Sequence, residues 1–330
     1  MRANWVFFFA LSALTARGQL VKDGQAAFGN SVPDAHNCYP YDGQWSDRID
    51  RALSIGFPLS IEQDLAWFNN RMVVVHNPKA ISGKEPGLRE HFFQRVRPIV
   101  EDALKQGDRS RWPMIILHLD FKVNDAPLLR ALWDLLGEYE SWITTAPKGS
   151  DPHKLAPFDV KPILVLTEDS DAQEEVFYQQ LPVGGKLRLF GSAHTAPVTA
   201  ISDSERYRLA ATLAPEQLLI EKPTNYRRWW NNPWAVVEEG GQRNAGDWNA
   251  ADAARLRALV EHTHKMGYWS RFYTLDGFRS GKDHGWDANY NFGSLDAVTR
   301  RWKAALTAGV DFISTDHYEA LGVLMGRRSK

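Results

Sequence analysis

Strand-like and helix-like runs alternate along almost the whole of this 330-residue chain, and that alternation restricts the fold more than any other feature. The apolar runs MIILHLDFK, KPILVLTE, YWSRFYTLD and DFISTDHY follow the helical runs LREHFFQRVRPIVEDALKQ, APLLRALWDLLGEYESWI, AADAARLRALVEHTHKMG and SLDAVTRRWKAALTAG in turn. Counting one strand per helix gives eight units, beginning near residues 33–36, continuing through PLSIEQDL and taking QLLIEKP as the sixth strand. Eight βα units predict an α/β fold, a single-domain TIM (β/α)8 barrel over residues 19–330. The run RMVVVHN, reached through an Asn69-Asn70 turn, reads as an added hairpin arm. Long βα loops are expected after strands six and seven. A doubly wound open sheet is the competing architecture, but no Gly-rich phosphate fingerprint follows the first strand.

Charge narrows the partners. With 39 basic and 40 acidic residues the net charge is -1, and no long run of one sign offers a nucleic-acid surface. Cys38 is the one cysteine, so no intrachain disulfide can form. At the N-terminus Arg2 precedes an apolar stretch from Trp5 to Leu14, and Ala16 and Gly18 supply the small residues of a processing site. Residues 1–18 are expected to be a signal peptide, and the protein to be exported, to a periplasm or the medium. The stretch is shorter than the ~20 residues a membrane span needs.

Chemistry concentrates on two strands. Alternate residues of a strand share a face, so Ser60, Glu62 and Asp64 point one way, as do Ile116, His118, Asp120 and Lys122 on the next run. Carboxylates gathered on one wall are costly to bury unpaired, and a hard divalent cation, Mg²⁺ or Ca²⁺, is the simplest neutraliser. In a barrel these positions fall at the C-terminal strand ends, where catalytic groups gather. The two long loops, rich in Trp, Tyr, Asn and Arg, are expected on the same side, as a wall or lid for an organic substrate group.

In order and spacing, AHN at His36, ExD at Glu62 and Asp64, HN at His76, HLDFK at Asp120 and Lys122, and VDFISTD near Asp316 form a familiar set. The set resembles the phospholipase-C-like phosphodiesterase superfamily over about residues 30–320. Within it, the glycerophosphodiester phosphodiesterases and the spider-venom sphingomyelinase D type of phospholipase D are most similar. The resemblance implies a TIM barrel in which Glu62, Asp64 and Asp120 hold one Mg²⁺ or Ca²⁺ ion. It implies that His36 and His76 form the acid and base pair, and that Lys122 binds phosphate. The chain departs from the glycerophosphodiesterase opening His-Arg-Gly, since His36 is followed by Asn37 and Cys38. Arg271 is expected to replace the missing arginine, because a guanidinium can bind two phosphate oxygens. Trp269 and Tyr273 share its face and are candidates to wall the substrate pocket. Asp316 is expected to orient a neighbour or to close the barrel by hydrogen bonding, and His118 to sit behind the ligands or as a satisfied core group.

The expected function is an exported, metal-dependent phosphodiesterase acting on a small-molecule or lipid phosphodiester, with transient contact to a membrane surface. A glycoside hydrolase using Glu62 and Glu221 is an alternative, since Trp-rich barrels with paired carboxylates cleave sugars. A barrel that binds without turnover is another.

Overall fold

The computed structural model describes residues 31–40, 46–238, 245–278 and 291–327. The expected signal peptide, residues 1–18, lies outside the described residues. Eleven strands are described: β1 (Val32–Ala35), β2 (Leu59–Phe68), β3 (Arg71–Val74), β4 (Ile115–Phe121), β5 (Ala146–Pro147), β6 (Ile163–Thr167), β7 (Lys186–Leu187), β8 (Phe190–Ser192), β9 (Arg227–Pro233), β10 (Trp269–Tyr273) and β11 (Phe312–Thr315). Eight of them run parallel in the order β1-β11-β10-β9-β8-β6-β4-β2, and pairing of β1 with β2 closes the sheet. The molecule is therefore the (β/α)8 barrel that the alternation predicts.

Two devices lie outside the cylinder. β3 pairs antiparallel with β2 across a two-residue turn, in which Asn69 and Asn70 both take left-handed backbone (φ 48 and 57). That conformation suits a tight hairpin and is one asparagine tolerates. β5 and β7 form a separate two-stranded ribbon.

The sixth barrel strand departs from expectation. It is β9, Arg227–Pro233 (RRWWNNP), and not QLLIEKP, which is a short helix Pro215–Leu218 followed by coil. Leu218 and Leu219 are buried under the helix layer, so their apolarity reflects packing outside the barrel. The real strand hides from an apolar pattern because its inward residues are polar or amphipathic. Asn231 serves interior charges, and the Trp229 Nε1 donates to Thr167 O at 2.9 Å. The loop after β9 is correspondingly shorter than expected.

The barrel interior is layered. Near the N-terminal strand ends Trp229, Trp269 and Phe312 meet edge to face, with centroids 6.2 and 6.4 Å apart, and form an apolar plug. Burial of side chains of this size stabilises the fold by about 1.5–3 kcal/mol each. Above the plug, Asp34, Glu62, His118, Arg271 and Ser314 replace the branched residues usual in a barrel. The helices Gln94–Gln106, Ala126–Glu138, Ala250–Met266 and Leu295–Ala308 cover the outside through apolar stripes such as Leu128, Leu129, Leu132 and Leu136.

Candidate active site

Arg271 organises the polar layer. Its Nε donates to Asp34 Oδ2 at 2.6 Å, Nη2 to Glu62 Oε2 and Ser314 Oγ at 2.9 Å each, and Nη1 to Asn231 Oδ1 at 2.9 Å. Burial works against its charge, but Asp34 and Glu62 more than compensate and raise its pKa. Asp34 is held down near 2 against its own burial, chiefly by Arg271. A guanidinium has five N–H donors, so little of this one remains for a phosphate. Arg271 is thus a buried counter-charge beneath the site, and the expected phosphate contact is not where the structure places it.

Above it stand the carboxylates. Ligand atoms of Glu62, Asp64 and Asp120 lie within 4.8 Å of one another. Asp64 is divided in its contacts. Its Oδ2 receives Tyr39 Oη at 2.7 Å, His76 Nδ1 at 2.9 Å and Lys122 Nζ at 2.7 Å, whereas the buried Oδ1 has no hydrogen-bond partner. A fully buried carboxylate oxygen left bare costs free energy. Lys122 also reaches Asp120 Oδ2 at 2.7 Å. Burial raises Asp120 to about 6, with the Asp64 charge adding to the effect and Lys122 opposing it. Negative charge exceeds what Lys122 neutralises. An all-oxygen set with one bare oxygen fits a hard divalent cation, and Glu62, Asp64 and Asp120 are the residues that would hold it. A second trio, Asp34, Glu62 and His118, already has Arg271 as its counter-ion.

Two imidazoles flank the carboxylates, each oriented by an acid. β1 ends at Ala35, and His36 follows with its Nδ1 2.9 Å from Asp316 Oδ1 and its Nε2 3.8 Å from Glu62 Oε2. Asp316 is fixed from behind by Arg48 Nη1 at 3.1 Å. Asp276 Oδ2 is 4.0 Å from the same ring nitrogen, and burial together with the Asp316 charge raises Asp276 to about 7. Burial alone would lower His36, yet Glu62, Asp316 and Asp276 together raise it to about 9. The hairpin delivers the second imidazole. Leu65 pairs with Val74, and Val75 N donates to Asp64 O at 3.0 Å, so His76 arrives beside Asp64.

The structure thus brings His36, His76, Glu62, Asp64, Asp120 and Lys122 together at the C-terminal strand ends. Tyr273 joins them as a wall, stacked on His36 with ring centroids 6.1 Å apart. Trp269 does not. Four residues earlier on β10, it is buried in the apolar plug and stacks on Phe158, so it packs the barrel instead of lining a pocket. Glu221 lies on no barrel strand, and its carboxylate receives His194 N at 2.5 Å. Glu221 therefore does not share a barrel wall with Glu62, the arrangement the glycosidase alternative expected of strand-end carboxylates. His118 sits behind the ligands with Nε2 2.6 Å from Glu168 Oε1.

Four residues escaped the sequence reading. Asn37, with left-handed backbone (φ 51), donates Nδ2 to Asp316 Oδ1 at 3.1 Å, and Arg48 Nη1 donates to its carbonyl at 2.8 Å. Tyr39, fully buried, joins Asn37 to Asp64. Asp276 lies three residues beyond Tyr273, past a left-handed Thr274 (φ 68) that turns the chain inward. An asparagine two positions before an aromatic, directly after a histidine, was the available signal for Asn37 and Tyr39. Nothing local marks Arg48.

Fold and site define a parallel eight-stranded barrel carrying a carboxylate cluster between two acid-oriented histidines. No family model matches the chain, and no curated protein matches it. Among solved structures an HPPK-DHPS of Plasmodium falciparum, determined with pterin and p-hydrobenzoate, matches with a TM-score of 0.40 and 8% identity over 90% of this chain and 47% of its own. The chain spans about half the length of that structure, and the likeness is too distant to speak to the site.

Proposed function

We propose that the chain is a metal-dependent phosphodiesterase acting on a phospholipid-like or glycerophosphodiester substrate. The observation that carries this reading is the bare Oδ1 of Asp64, set among Glu62 and Asp120 and flanked by His36 and His76. A Mg²⁺ or Ca²⁺ ion bound there supplies positive charge for the non-bridging oxygens of the diester.

The chain's own residues do the rest. His36, held protonated by its three acids, gives its Nε2 proton to the leaving oxygen. His76, fixed through Nδ1 by Asp64, takes the proton of the attacking hydroxyl, from water or from the substrate. Asp316 stabilises the His36 imidazolium and fixes its ring, and Arg48 keeps Asp316 ionised against its burial. Lys122 spans Asp64 and Asp120, holding two ligands in register. Carboxylates outnumber cations around the site, which favours a singly charged diester over a doubly charged monoester. Export and transient contact with a lipid surface belong to the same proposal, the first resting on residues 1–18 and the second on a lipid substrate. Among the described residues no helix is long and apolar enough to cross a membrane.

The test is turnover of bis-p-nitrophenyl phosphate, glycerophosphocholine, lysophosphatidylcholine and sphingomyelin with Mg²⁺, with Ca²⁺ and with EDTA. Cation-dependent hydrolysis lost in both His36→Ala and Glu62→Ala is expected. Hydrolysis that survives EDTA, or survives both substitutions, would overturn the reading.

A further inference from the structure

Tyr39 has one hydroxyl proton and two oxygen acceptors for it, with His76 Nδ1, which donates to Asp64, 3.2 Å from the same hydroxyl. Its Oη lies 2.6 Å from Asn37 Oδ1 and 2.7 Å from Asp64 Oδ2, and the ring is fully buried. Both distances are those of good O–H···O bonds, and only one can be made at a time. The two acceptors belong to opposite halves of the site. Asp64 carries the bare oxygen and orients His76, while Asn37 reaches Asp316 and lies beside His36 Nδ1 at 2.8 Å. The amide of Asn37 donates Nδ2 to Asp316 Oδ1 and turns its carbonyl oxygen to Tyr39.

Building on the metal-site reading above, we propose that Tyr39 is a positioning residue whose hydroxyl passes between these acceptors and couples cation occupancy at Asp64 to the His36 side of the site. In the cation-free protein the ionised carboxylate is the stronger acceptor and takes the proton. Asn37 Oδ1 then faces an oxygen lone pair at short range and is loosely held. Once its Oδ1 carries a cation, Asp64 accepts less well at Oδ2, and the hydroxyl turns to Asn37. The amide is then fixed between Tyr39 and Asp316, and with it the acceptor that orients His36. Coupling of this kind is reciprocal: what occupancy does for Asn37, Asn37 does for occupancy.

The experiment is calorimetric titration of substrate-free protein with Mg²⁺ and with Ca²⁺, in wild type, Tyr39→Phe, Asn37→Gly and the double variant. Glycine keeps the left-handed backbone at position 37 and removes the acceptor. With no second acceptor the hydroxyl stays on Asp64 and competes with the cation, so Asn37→Gly should weaken binding about fivefold or more. In the Tyr39→Phe background the same substitution should leave affinity unchanged, because no proton is there to redirect. An equal penalty in both backgrounds would overturn the coupling while leaving the metal site standing. No cation binding in wild type would overturn the metal site and the coupling with it. A second readout needs no change at position 37: cation addition should shift tyrosine ultraviolet absorption in wild type and not in Tyr39→Phe. Identical difference spectra in the two proteins would also overturn the proposal.

Discussion

His36 and Asp316 meet at 2.9 Å although 280 positions separate them in sequence. The contact exists because β11 pairs with β1 as the barrel closes, with Ala35 opposite Thr315. If the carboxylate orients His36 and stabilises its charged form, Asp316→Asn should lower kcat by about 10²-fold with little change in KM. Steady-state kinetics on a soluble diester decides this, and an unchanged kcat would remove Asp316 from the mechanism.

The proton on His36 ties stability to pH. The folded protein binds it more tightly than the unfolded chain, with a pKa of about 9 against 6.5. That contribution is present in full below about pH 6.5 and is lost as pH rises through about 9. In EDTA the melting temperature should fall across this window, and His36→Gln should flatten the fall. A wild-type profile that is already flat there would show that the acids do not hold the proton.

Among the described residues, Lys122 is the positive charge that reaches both Asp64 and Asp120. Its replacement by Met leaves the fully buried Asp64 opposed to the partly buried Asp120, at a cost of about 3 kcal/mol. Added Ca²⁺ or Mg²⁺ should restore more stability to Lys122→Met than it adds to wild type. Urea unfolding with and without the cation measures both, and equal stabilisation of the two proteins would argue that the cation binds elsewhere.

Arg271→Met should unfold the barrel more readily, by about 3–5 kcal/mol, because Asp34 and Glu62 lose a buried partner. Arg271→Lys should rescue it only in part, since an ammonium cannot reproduce the forked donation to Asp34, Glu62, Asn231 and Ser314. Chemical denaturation gives the two values. A variant of wild-type stability that had lost only substrate affinity would return Arg271 to a phosphate-binding role.

The barrel was legible because seven of its eight strands carry apolar runs, and period two placed Glu62 with Asp64 and Asp120 with Lys122 correctly. β9 was not legible, because its inward Asn231 answers to Glu168, just past β6, and to Arg271 on β10. The same gap explains Arg271: its strand and face were readable, but the four acceptors that consume its donors come from β1, β2, β9 and β11. Trp269 and Tyr273 share a face, and only height along the barrel axis separates a packing ring from a wall of the site. Period two carries no information about height. Asn37 and Tyr39 matter through hydrogen bonds to partners that the fold brings near.

The seam between β1 and β11 also sets when the candidate site can be completed. A ribosome delivers β1 first and β11 last, so a growing chain already has His36, Glu62, Asp64, His76 and Asp120 in hand while Asp316 is still unmade. Until that last strand docks, the imidazole has no anchor and the cylinder has a gap. A chain that ends before Asp316 therefore lacks both the strand that pairs with β1 and the carboxylate that holds His36.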